Sequence, residues 1–266
     1  MLMLMKHLLT IFLLAMMAIS CRQRAGTETK AKEKADSLRV EPAANLLPSK
    51  LVAPKAVVPP KLDGLPDDSC WFLANWQPID QNWVGQLYDS LDFAGRYKVA
   101  WDAGQLYILA QITDDTLRTT NKPLESYLND DALILYIDEN HSGGDHQYNY
   151  NAFAYHLRLD DRTVDVGADS SAHLFPGHCT VNRNTRGNTT TWEIAVRLYP
   201  DNYKDNATNT PVELKEGKHI GFAIAYNDAD RGPARDNLVG SVYIDGDNKN
   251  IAWIDASVFA DLLEAK

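Results

Sequence analysis

The sequence predicts an all-β protein, a two-sheet antiparallel β-sandwich of jelly-roll type closed by a short C-terminal helix. Three observations predict it. Almost every apolar run after residue 90 alternates with period two, the spacing that gives a strand one core face and one outer face. Asp, Asn and Gly cluster between the runs, where chain reversals need them. No stretch before the last ten residues sustains helical spacing, and no long repeat is present.

The chain begins with a different kind of segment. Lys6 precedes an apolar run from Leu8 to Ile19, shorter than the ~20 apolar residues of a membrane-spanning helix and suited to an export signal over residues 1–20. The run ends Ala18-Ile19-Ser20-Cys21. This resembles the lipobox of bacterial lipoproteins, although leucine usually stands where Ala18 does. The resemblance implies cleavage before Cys21 and its acylation, hence an exported protein of the bacterial cell envelope, at the outer membrane, touching lipid through its anchor alone; stable anchoring needs more than one acyl chain. Residues 21–56 are expected to be a tether: from Arg22 to Lys61 there are nine Lys or Arg, four Asp or Glu, and prolines at 42, 48, 54, 59 and 60, a composition that cannot pack a core.

From Leu62 onward 16 basic residues face 32 acidic ones. Such a charge excludes nucleic acid as a partner, and this length buries a core without staples. Cys70 and Cys179 either form a disulfide, which export permits, or lie buried as small apolar side chains.

Each strand then follows from its spacing. Tyr97, Val99 and Trp101 alternate with Lys98 and Ala100; after the turn Asp102-Ala103-Gly104-Gln105, Leu106, Ile108, Ala110 and Ile112 share a face, which makes a hairpin. Ala132 to Ile137 is apolar on both faces, as in a strand covered on both sides. Phe153 to Leu159, Trp192 to Leu198 with Glu193 and Arg197 outward, and Ile220 to Tyr226 repeat the alternation. Leu238 to Ile244 is the expected last strand, and Ser257 to Lys266 the helix.

The stretch from Tyr127 to Asn151 is the densest in oriented polar groups. After its strand, Asp138, Asn140 and Ser142 stand at alternate positions before Gly143, with Asp145 beyond. That order either curls oxygens around a hard cation such as calcium, with Asp145 or Asp130 as further ligands, or closes a polar turn. No glutamate stands at the twelfth position of the loop, where Asn149 is found.

Five motifs in order, Leu62-Asp63-Gly64 with Trp71, YKVAWDAGQLYILAQITDD (97–115), NDDALILYIDEN (129–140), TWEIAVRLYP (191–200) and HIGFAIAYNDADRG (219–232), together resemble the family 9 carbohydrate-binding modules. The resemblance covers residues 57–266. It implies a sandwich with structural calcium and a sugar slot between two aromatic rings, which fall here on Tyr127 and Trp253, 126 residues apart. It further places His156 and Asn227 at ligand-facing positions, and lets Asn227, Asp228 and Asp230 either bind calcium or pin a loop. Ile134, Ala154 and His156 stand near where sugar-binding members carry an acid, an arginine and an asparagine.

The doublets Asp114–Asp115, Asp130–Asp131 and Asp160–Asp161 are not a hydrolytic pair, because strand neighbours point to opposite faces. Serine-hydrolase, zinc-protease and phosphate-loop motifs are absent. The expectation is therefore a non-catalytic module that binds an oligosaccharide or polysaccharide during glycan catabolism and leaves hydrolysis to partner enzymes. The alternative is an envelope protein-interaction module whose slot has decayed.

Overall fold

The computed structural model describes residues 51–120 and 124–266; the export signal, Cys21 and the tether before residue 51 lie outside the described residues. The described residues form fourteen strands: β1 (Leu51–Ala53), β2 (Gln77–Ile79), β3 (Gln81–Val84), β4 (Phe93–Trp101), β5 (Leu106–Asp114), β6 (Ala132–Asp138), β7 (Phe153–Arg158), β8 (Thr163–Val166), β9 (Ala172–Leu174), β10 (Cys179–Arg186), β11 (Thr189–Val196), β12 (His219–Asp228), β13 (Asn237–Gly240) and β14 (Ala260–Glu264). They form a nine-stranded sheet, β1-β14-β12-β6-β7-β8-β9 with β13 and β3 branching from β12, and a five-stranded sheet, β10-β11-β5-β4-β2. The expected sandwich is what forms.

The alternation decides which residues meet between the sheets. Val99 and Trp101 of β4, Leu106 and Ile108 of β5, and Leu133 and Leu135 of β6 all enter one buried cluster. The β4–β5 hairpin pairs Trp101 with Leu106, and its turn is held by Asp102 Oδ1, which accepts from the N–H groups of Gly104 at 2.8 Å and Gln105 at 3.0 Å. β6 is covered on both faces, as its composition requires: Ile134 and Tyr136 pack outward against Trp83, Ala223, Val242, Ile244 and Phe259. That outer cover is the chain between β13 and β14, and it positions the site.

Four expectations are corrected. Residues 257–266 make one 3-10 turn, Ala256–Val258, capped by Asp255, and then β14. A ten-residue helix is marginal alone, whereas the open edge of β12 from His219 to Phe222 offers the backbone a ladder. The strand expected over 238–244 stops at Gly240, and Val242 and Ile244 continue as packed coil. The tether cannot reach residue 56, because Leu51–Ala53 joins the sheet parallel to β14 and Ala53 and Ala56 are buried.

Glu193, expected outward, is fully buried. The segment carrying Leu62-Asp63-Gly64 and Trp71 folds over it. Its carboxylate accepts from the N–H groups of Asp63 and Gly64 at 2.9 Å each and from Trp71 Nε1 at 3.0 Å. Gly64 has φ of +77°, and a Cβ there would lie 2.7 Å from Asn184 N, so only glycine fits this approach. Cys70 and Cys179 are free thiols, Cys70 buried as expected of a small apolar side chain and Cys179 only partly buried.

Candidate functional site

A cavity of about 480 Å³ opens on the outer face of the nine-stranded sheet. Alternation builds its floor. Phe153, Tyr155 and Leu157 of β7 point into the core, which turns Ala154 and His156 outward to line the cavity. Alanine at 152 and 154 leaves room that a larger side chain would fill.

Tyr127 and Trp253 line this one cavity. Tyr127 comes from a 3-10 segment, Leu124–Asn129, just before β6. Trp253 comes from the outer cover and is held by the loop after β6: His146 N donates to Ile254 O at 2.7 Å and His146 Nε2 lies 2.8 Å from Ala252 O. A carbonyl only accepts, so Nε2 is the donor. Burial keeps His146 below the usual histidine range. Trp253 remains 38% exposed, open to a ligand as a core tryptophan is not.

His156 lines the cavity and is buried. Its ring stands edge-on to Tyr127, centroids 4.6 Å apart at 81°. Nδ1 donates to Ala154 O at 3.0 Å, which leaves Nε2 as an acceptor, and burial pushes its pKa down to about 3. Asn227 is corrected as a ligand contact. It is fully buried, its Nδ2 donates to the carbonyls of Leu128 at 3.1 Å and Asp130 at 2.7 Å, and its Oδ1 accepts from Arg235 at 3.3 Å. It fixes the turn that carries Tyr127.

Sequence reasoning missed Arg235, Asp165, Tyr148 and Asn250, all of which line the cavity. Asn250 lies three residues before Trp253 in the same covering segment, the one signal that pointed toward it. Asp165 on β8 is buried, and its two oxygens accept from Ala154 N and Val166 N at 2.7 Å each; burial pushes its pKa up to about 7. Ile134 is buried in the outer cluster and lies outside the lining.

The Asp138 loop folds as a hydrogen-bonded turn. Asp138 Oδ2 accepts from Gly143 N at 2.7 Å, Asn140 Oδ1 from Ser142 N at 3.0 Å, and Asp145 Oδ1 from Gln147 N at 3.1 Å. Ser142 Oγ donates to Asn151 Oδ1 at 3.1 Å. Asp138 Oδ1 is buried without a partner. Asp130 cannot assist, since β6 separates it from Asp138 by about 25 Å of extended chain. It is instead ion-paired to Arg158 at 3.2 Å.

Carboxylates converge elsewhere. Asp114 ends β5, Asp131 precedes β6, and Asp228 ends β12, so three strands bring them to one end of the sandwich. Asp114, Asp131 and Asp228 offer oxygens within 4.8 Å of one another, as do Asp92, Asp228 and Asp230, and Asp114, Asp115 and Asp230. Burial, with the neighbouring carboxylates, pushes Asp131 and Asp228 up to about 8 and Asp230 to about 6. Asp228 Oδ1 and Asp230 Oδ1 have no hydrogen-bond partner. An all-oxygen, acidic, partly unsatisfied donor set of this kind fits a hard divalent cation.

Comparison with known proteins matches residues 62–263 to the carbohydrate family 9 binding domain-like family. The chain belongs to this family. A family 9 structure from Caldicellulosiruptor kristjanssonii in complex with cellotriose superposes with a TM-score of 0.58 at 17% identity, covering 82% of this chain and 95% of that one. The same module in complex with glucose gives a TM-score of 0.58. These likenesses establish the carbohydrate-binding-module fold. Curated relatives are an exoglucanase, XynX, of Acetivibrio thermocellus, 27% identical over 210 residues, and an endo-1,4-beta-xylanase A of Thermoanaerobacterium saccharolyticum, 27% over 207. Each alignment spans 77% of this chain but only 16% and 15% of those enzymes.

Proposed function

We propose that this family 9 module binds carbohydrate without acting on it, holding a sugar ring against Tyr127 and Trp253. One observation carries the reading: side chains 126 residues apart in sequence line the same cavity. Aromatic faces suit the apolar C–H face of a pyranose, while a few fixed polar groups meet its hydroxyls. His156 Nε2 offers an acceptor there and Asn250 both a donor and an acceptor. Cellotriose and glucose in related modules support β-linked glucans and their monomers as first ligands to test. Hydrolysis is assigned to partner enzymes, in line with the enzymes in which the curated relatives of this module reside.

Calcium belongs to the same reading, at the carboxylate cluster rather than the Asp138 loop. Asp114, Asp131, Asp228 and Asp230 would hold it, and the ion would supply positive charge that cancels their mutual repulsion. Attachment to the bacterial envelope through an acylated Cys21 completes the proposal and rests on the sequence of residues 1–21.

Calorimetric titration of the chain with mono- and oligosaccharides tests the binding. Trp253→Ala is expected to weaken saturable binding roughly tenfold or more, about 1.4 kcal/mol, with the circular dichroism spectrum unchanged. Binding that survives Trp253→Ala would move the ligand out of this cavity, and a folded protein with no sugar affinity would favour an interaction module.

A further inference from the structure

The cavity contains one guanidinium, Arg235, which among the described residues makes no direct ion pair, although the carboxylates of Glu125 and Asp165 line the same cavity. Arg158, which is buried, is met by Asp130 at 3.2 Å and Asp160 at 3.1 Å. Arg162 and Arg183 likewise have Asp160 and Asp161. Arg235, half-buried and lining the cavity, donates to Asn227 Oδ1 at 3.3 Å, and the groups that act on its charge are the phenols of Tyr136 and Tyr127 rather than a carboxylate. Asp165 lines the same cavity but forms no ion pair with Arg235; its two oxygens accept from the N–H groups of Ala154 and Val166. His156 is uncharged.

A guanidinium withdrawn from water without an anion is unfavourable, and its planar fork matches a carboxylate in two parallel hydrogen bonds. A sugar hydroxyl offers the guanidinium a single acceptor and no opposite charge, so it gains neither the ion pair nor the second parallel bond. We infer that the preferred ligand is an acidic sugar, a uronate whose ring lies against Tyr127 and Trp253 while its carboxylate meets the Arg235 guanidinium. This rests on the sugar-binding reading above and narrows it to a ligand class.

The test is calorimetric titration of the whole chain at neutral pH and low salt with two matched pairs, glucose with glucuronate and galactose with galacturonate. At least one uronate is expected to bind about tenfold more tightly than its neutral partner. In Arg235→Gln the ratio should fall to about two or less. In the unaltered protein, 0.5 M sodium chloride should lower the ratio as well, because the pair is only half-buried; this readout does not depend on the variant folding. Equal or tighter binding of the neutral sugar in both pairs overturns the inference and leaves the sugar reading standing. A uronate preference that Arg235→Gln and salt both leave intact also overturns it. If none of the four ligands binds, while folding is verified, both readings fall together.

Discussion

Glu264 sits at the end of β14 with no exposed surface. Its Oε2 accepts from Lys215 N at 3.1 Å, while Oε1 has no partner. Burial pushes its pKa from 4.5 up to about 7. A carboxyl raised on folding stabilises fully below its unfolded pKa, and that contribution is lost as pH rises through the folded one. Thermal melts from pH 5 to pH 8 should therefore show a decline that is smaller in Glu264→Gln, which keeps an acceptor for Lys215 and cannot ionise. Equal slopes in variant and parent would assign the decline to other groups. Residues of this kind are illegible in sequence. Nothing distinguishes Glu264 from a surface glutamate until β1 covers it, just as nothing separates Asp131 from an ordinary turn residue until β5 and β12 deliver Asp114 and Asp228 beside it.

Elements were far more legible than contacts. The β4–β5 hairpin, β6, β7, β11 and β12 can all be read from period-two spacing, because burying one face of a strand constrains every second residue. Where spacing misled, a neighbour decided: β14 is drawn into extended form by the free edge of β12, and β1 by β14. The cavity was legible in Tyr127, Trp253 and His156 and not in its other polar groups. Arg235 and Asp165 stand outside any motif and reach the cavity only through the sheet order. The covering segment at residues 62–71 gives an element-scale prediction. Glu193→Ala leaves three N–H donors without their acceptor, and unsatisfied buried donors cost about 1 to 3 kcal/mol each. A loss of at least about 2 kcal/mol in denaturant unfolding is expected. A loss below 0.5 kcal/mol, which is the range of ordinary surface substitutions, would mean the segment is not held by this carboxylate.

At the scale of the molecule, the proposed cation would couple the two sheets, since Asp114 belongs to the five-stranded sheet and Asp228 to the nine-stranded one. Calcium at a hundred times its dissociation constant would stabilise the fold by about 2.7 kcal/mol, a rise of about 5 to 10 °C in melting temperature for a domain of this size. A chelator should reverse it, and Asp228→Asn should abolish the increment. An unchanged increment in that variant would place the ion elsewhere, with Asp138 and its unpartnered oxygen the next position to substitute. The parallel β1–β14 pair, Leu51 beside Leu262 and Ala53 beside Glu264, has a mechanical meaning. Tension applied between the two ends of the described chain pulls these strands in opposite senses along their own axes, so the load falls on every rung in shear at once instead of opening them one by one. A three-residue pairing thus becomes a catch against stretching, set at the edge of the sheet and separated by β14 and β12 from the strands that form the cavity.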